Sequence, residues 1–186
     1  MREGKVIAKL DHLNIVRVIE QGESGEIFYI VMEFVEGYTL QQLIKRGKAV
    51  SLRNTLSIIS QLLKALHSAH QLQIVHRDIK AANVMILKDG GVKLADFGIA
   101  RLDDKADLTM TGAVVGTPKY MAPEQMLGEN VDFRSDLFAV GILLYEMLGG
   151  ARLFGGESVS DTLAGVLKSE PDWNRLPDDL PPSILR

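Results

Sequence analysis

Two rhythms of apolar residues run along the chain. Residues 15–20 and 27–34 are dense in β-branched and aromatic side chains and predict two strands, joined by a hairpin loop at Gln21-Gly22-Glu23-Ser24-Gly25. Glu36-Gly37 breaks the second strand. Residues 2–10, with Val6, Ile7 and Leu10 on one face, predict the end of a helix. Residues 39–46 predict a short helix with Leu40, Leu43 and Ile44 inward. Ser51 caps a long helix running to Gln71, whose apolar stripe is Ile58, Ile59, Leu62, Leu63 and Leu66. Asp89-Gly90-Gly91 predicts a tight turn between short strands at 84–88 and 92–95. Residues 99–123 have no sustained period, and a loop of that length in a compact domain is more often functional than idle. Residues 136–148 are apolar on nearly every side and predict a buried helix, capped by Ser135 or Asp132 and ended by Gly149-Gly150. Residues 157–167 predict a final amphipathic helix, and 171–182 a proline-rich irregular stretch.

Composition narrows this picture. A chain of 186 residues suits one domain, or two small lobes sharing a core. The longest apolar stretch, 137–148, is interrupted by Gly141 and Glu146 and is too short to span a bilayer. Net charge is −3, so no global basic field draws nucleic acid or anionic membrane, and neither partner is expected within this stretch. There is no cysteine, which removes disulfides and thiolate metal sites and fits a reducing cytoplasm.

The chemistry concentrates at His76-Arg77-Asp78-Ile79-Lys80-Ala81-Ala82-Asn83. Apolar Ile74-Val75 leads in and Val84-Met85-Ile86-Leu87 leads out, so the polar residues sit on a turn at the edge of a core. A base, a cation and an amide on one rigid turn can gather a hydroxyl, a phosphate and a metal ion. Asp96-Phe97-Gly98 follows another apolar run, Val92-Lys93-Leu94-Ala95. Acidic residues on two adjacent loops, with an amide and a lysine between, are what Mg²⁺-assisted phosphoryl transfer needs. Taken singly, each residue reads as an ordinary turn former.

The joint pattern resembles a known family. His76-Arg77-Asp78 with Asn83, Asp96-Phe97-Gly98, Gly116-Thr117-Pro118 with Ala122-Pro123-Glu124, and Asp136 with Gly141 stand in the order and spacing of the eukaryotic-type protein kinases. The resemblance covers essentially the whole chain. The activation segment and Glu170-Pro171-Asp172-Trp173 look most like bacterial Ser/Thr kinases of the Pkn group. The implied fold is α+β and bilobal. Residues 1–34 would be a partial small lobe, a helix end plus a strand pair, and 35–186 a mostly helical large lobe.

The resemblance also implies roles. Asp78 is the catalytic base and Lys80 the cation facing the migrating phosphoryl group. Asn83 and Asp96 hold Mg²⁺. ATP is the donor, with Met32 as gatekeeper, the Glu33 carbonyl and the Val35 backbone on adenine, and Met85 as the pocket floor. Lys80 and Thr117 imply a Ser/Thr acceptor on a protein substrate. Arg77 would pair with phosphate on Thr109 or Thr111, added by the kinase acting on itself, in trans among other routes. His76 is structural and packs under Phe97. Ile7, Val18, His76 and Phe97 form a column joining the lobes. Asp136 holds the catalytic turn from below. Glu124 pairs with an arginine that in the family lies beyond residue 186.

The sequence departs from the pattern at its start. The family's glycine-rich phosphate loop and strand lysine are not among these residues, and Glu3 stands where the partner of that lysine would be. Three readings follow: a Ser/Thr kinase, a pseudokinase serving as a scaffold, and a small-molecule phosphotransferase. The intact set of Asp78, Lys80, Asn83 and Asp96 favours the first, with residues 1–186 alone expected to be inactive or weakly active.

Overall fold

The computed structural model describes residues 10–25, 27–97, 118–155, 158–181 and 184. Strands β1 (Val18–Ser24) and β2 (Ile27–Met32) form an antiparallel ribbon, with Val18 opposite Met32 and Ser24 opposite Ile27. A second, three-stranded sheet has the order β3 (Gly37–Thr39), β4 (Val84–Leu87), β5 (Val92–Leu94), antiparallel throughout. Helices are α1 (Leu40–Ile44), α2 (Leu52–Gln71), α3 (Pro123–Leu127), α4 (Phe133–Gly149) and α5 (Val159–Lys168). Short 3₁₀ turns occupy Pro118–Tyr120 and Trp173–Arg175.

Local chemistry accounts for the helix ends. Thr39 and Gln42 form a reciprocal capping box that starts α1. The Ser51 hydroxyl accepts from Asn54 N at the head of α2. Asp132 is the cap of α4, accepting from Arg134 N, while the Ser135 hydroxyl is spent on Glu124. Gly150, at φ 66°, closes α4 in the left-handed region that glycine tolerates.

Helix α2 packs on strand β5 and against α4 around one core. Leu40, Leu62, Leu66, Val84, Leu94, Leu143 and Met147 are all fully buried there. Ile15 reaches this core too, by a parallel bridge to Leu94. Asn14 braces the same strand, donating to the Val92 carbonyl at 2.7 Å.

Several expectations shift. The stretch 21–24 belongs to β1 and is no loop, because its backbone pairs with residues 27–30 despite its polar side chains. Gly37–Thr39 is a strand that lies beside β4, and a Cβ at Gly37 would sit 2.3 Å from the Ile86 carbonyl oxygen. Leu63 is 39% exposed and lies off the buried stripe of α2. The last helix begins at Val159, capped by Ser158. The helix end at 2–10 falls outside the described residues except for Leu10, which is buried.

Candidate active site

The turn between α2 and β4 is held from below by one carboxylate. Asp136, on the first turn of α4, is 1% exposed. Its Oδ2 accepts from His76 N at 2.9 Å and its Oδ1 from Arg77 N at 2.8 Å. His70, near the end of α2, donates from Nε2 to the same Oδ2 at 2.8 Å. A buried carboxylate needs donors on both oxygens, and here the backbone of the turn supplies two of them.

His76 is fully buried, and its ring lies 4.6 Å from the Phe97 ring, centroid to centroid. Nε2 is 3.0 Å from the Ala95 carbonyl, and Nδ1 is 3.3 Å from the Asp78 amide nitrogen. Only a neutral ring protonated on Nε2 satisfies both contacts. Burial pushes its pKa below the usual histidine value, and the nearby carboxylates of Asp136, Asp78 and Asp96 offset this only in part. The imidazole therefore ties the turn carrying Asp78 to the strand end carrying Asp96.

Above it, the reactive groups meet. Lys80 Nζ is 2.6 Å from Asp78 Oδ2, and Asn83 Nδ2 donates to that oxygen at 3.2 Å and to the Asp78 carbonyl at 3.0 Å. The Asn83 carbonyl accepts from Ala95 N at 2.8 Å, which sets Asp96 beside the turn. Arg77 and Asp96 adopt φ of 65° and 59°, in the left-handed region. Backbone strain of this kind costs roughly 1–3 kcal/mol and persists where surrounding contacts over-determine it. Gln125, buried on α3, donates to the Arg77 carbonyl at 2.8 Å and so fixes the turn from a third side.

Asn83 and Asp96 offer the hard oxygens that suit Mg²⁺, which takes few protein ligands and completes its shell with phosphate and water.

The connection after β2 carries Met32, Glu33 and Val35. Glu33 N donates to the Arg17 carbonyl, and its carboxylate accepts from Arg17 N at 2.9 Å and from Lys93 Nζ at 2.6 Å. Partial burial raises the Glu33 carboxyl, but the Lys93 and Arg17 donors more than reverse this and hold it below the usual carboxylate range. Met32, Val18, Leu10, Ile15, Val16, Asp96 and Phe97 line a small cavity between the ribbon and the Asp96 segment. A larger open groove, about 840 Å³, runs along the outer side of α2 past Leu56, Leu63 and His67, and none of the site residues lines it. Met85 is half-buried on β4. Glu124 is met by the Ser135 hydroxyl. Glu3, Ile7, Gly98, Thr109, Thr111, Gly116 and Thr117 lie outside the described residues.

Three contributors escaped the sequence reading: His70, Gln125 and Lys93. His70 reads only as a residue in the last turn of a helix, and Gln125 falls in a stretch where no helix is predicted. Lys93 looked like the polar position of a strand.

A mixed helix–strand fold built around this turn is that of a protein kinase domain, and the chain belongs to that family, whose model, described as "protein kinase domain", matches residues 1–179. Three bacterial proteins are among those it resembles. The chain is 40% identical over 187 residues to the serine/threonine-protein kinase PknA of Mycobacterium tuberculosis, covering 98% of this chain and 43% of that protein. It is 41% identical over 184 residues to the serine/threonine-protein kinase PrkC of Bacillus subtilis, covering 98% of this chain and 28% of that protein. To a probable serine/threonine-protein kinase PknB of Bifidobacterium longum it is 46% identical over 168 residues, covering 84% of this chain and 24% of that protein. The chain thus spans less than half the length of these relatives. Among the described residues no helix is long and apolar enough to cross a membrane.

Proposed function

We propose that this chain carries the catalytic centre of a protein serine/threonine kinase, which moves the γ-phosphoryl group of ATP to a Ser or Thr hydroxyl of a protein. The carrying observation is the convergence of Asp78, Lys80 and Asn83 on one oxygen, at 2.6 and 3.2 Å. Asp78 orients the acceptor hydroxyl and receives its proton. The hydroxyl oxygen then bonds to the γ-phosphorus, the bond to the β–γ bridging oxygen breaks, and ADP leaves. Lys80 neutralises charge on the equatorial oxygens of the transferring group. Asn83 and Asp96 would hold magnesium, which when bound would neutralise charge on the phosphates. The chain's own share is positioning and preorganised electrostatics, because the transfer asks for little covalent help from protein groups.

The connection at Met32, Glu33 and Val35 receives adenine, with Met85 beneath it. Thr109 and Thr111 are the acceptors of self-phosphorylation, with Arg77 as the cation that receives the phosphate and Thr117 as a brace for Asp78 and Lys80. Mass spectrometry of active full-length protein should find phosphate on one of the pair.

The test is ATP-dependent labelling of a protein acceptor by the full-length protein. Asp78→Asn should cut the rate by about 100-fold or more while leaving the thermal midpoint near that of the parent, since the general base contributes roughly 10²–10⁴ to such reactions. Equal rates in parent and variant would overturn the assignment.

A further inference from the structure

Two helices grip the peptide units on either side of the Arg77 Cα. The Arg77 N–H donates to Asp136 Oδ1 of α4 at 2.8 Å. Its carbonyl, part of the peptide unit that joins Arg77 to Asp78, accepts from Gln125 Nε2 of α3 at 2.8 Å. The N–H of that same unit faces His76 Nδ1 at 3.3 Å. The peptide plane that carries Asp78 is thus held at one edge by an imidazole and at the other by the Gln125 amide. Arg77 sits at φ 65°, a strained setting for a residue with a Cβ, so this backbone relaxes elsewhere once a holder is lost. Helix α3 is in turn anchored to α4, because Glu124 accepts from the Ser135 hydroxyl, one residue before Asp136.

Gln125 is buried, and the two ends of its amide have different tasks. Oε1 accepts from Ala122 N at 3.0 Å and so satisfies the first turn of α3. The orientation of the amide is forced: a backbone N–H needs an acceptor and a backbone carbonyl needs a donor. For the helix start alone a glutamate would serve as well, since acid and amide both fill this place in capping boxes. Only the amide adds a donor, and that donor is spent on the Arg77 carbonyl. The choice of glutamine is therefore explained by the turn that carries Asp78 and not by the helix it begins.

We propose that Gln125 is a positioning residue for the base: it makes the direction of the Asp78 carboxylate depend on where Ala122 and the head of α3 lie. Its effect passes through the Arg77–Asp78 peptide unit and not through contact with acceptor or nucleotide. The proposal rests on the kinase reading above and goes beyond it, because a displacement of the segment entering α3 is then felt at Asp78. Misplacement of a reacting group by a fraction of an ångström to an ångström is enough to slow a transfer that depends on alignment.

The full-length protein and its Gln125→Met and Gln125→Glu variants test this in ATP-dependent labelling of a protein acceptor, each assayed well below its thermal midpoint so that every molecule is folded. Gln125→Met keeps the volume and loses the donor. Its kcat should fall about tenfold, the scale of one buried hydrogen bond, with KM for ATP within about twofold of the parent. Gln125→Glu keeps the acceptor toward Ala122, but its carboxyl group donates to the Arg77 carbonyl only when protonated. Burial raises the pKa of such a carboxyl. The kcat of Q125E, divided by that of the parent at the same pH, should therefore rise as the pH is lowered, while the same ratio for Q125M stays flat. In an Asp78→Asn background Q125M should cost less than about twofold, because the group it positions is gone. A role confined to holding the fold together would cost the same in both backgrounds. An unchanged kcat in Q125M, a flat ratio for Q125E, or an equal loss with and without the Asp78 carboxylate overturns the proposal. Equal labelling by the parent and D78N would instead remove the kinase reading, and the proposal with it.

Discussion

His76 shows what one buried side chain can join. Its two ring nitrogens bridge the backbone of Asp78 and the carbonyl of Ala95, and a neutral imidazole has the one donor and one acceptor required. The pH dependence follows. The folded pKa is depressed below the ordinary histidine value of 6.5, so below that pH the unfolded chain binds a proton that the folded chain refuses. This share of stability is therefore complete above pH 6.5 and declines as pH falls toward the folded pKa, with a slope of at most about 1.4 kcal/mol per pH unit. Denaturant titrations from pH 7.5 to 5 should show the decline, and His76→Phe should remove that component from the slope while lowering stability throughout.

At the scale of elements, α4 holds the turn at residues 76–83 through Asp136, and the end of β5 holds it through Ala95. Asp136→Ala would strand the His76 and Arg77 amides, and each unsatisfied buried donor costs about 1–3 kcal/mol. A shift of the urea midpoint equivalent to roughly 3 kcal/mol or more is expected. Gly37→Ala places a methyl group against the Ile86 carbonyl and should cost about 1–3 kcal/mol, read by the same titration. These elements were unequally legible in the sequence. The capped helices α1 and α2, the buried α4 and the Asp89–Gly91 turn announce themselves through local spacing and cap chemistry. Strand β3 does not, because three residues are too few to show alternation, and its partner β4 lies more than forty residues away in the chain. The turn residues 76–83 and Asp96 were legible as motifs. Their supports were less so: Gln125 lies in a short helix that no pattern announces, and only the fold brings the Arg77 carbonyl to it, while His70 reads as a helix end until Asp136 arrives from α4.

At the scale of the whole molecule, the Glu33–Lys93 pair ties the segment that follows β2 to strand β5 of the three-stranded sheet. Its side chains are 25% and 17% exposed, so solvent screens it only partly. A double-mutant cycle with Glu33→Gln and Lys93→Met should return a coupling of about 1 kcal/mol, and a value near zero would show the pair to be incidental. The Asp136 carboxylate has a wider consequence. The eight residues from His76 to Asn83 contain the proposed base, cation and amide, yet the shape of that loop is imposed by an oxygen pair sixty positions downstream. Transplanting the octapeptide onto a foreign scaffold would move the reagents and leave their template behind. The smallest portable unit of this centre includes α4, and a designer who wants the chemistry elsewhere must carry that helix along.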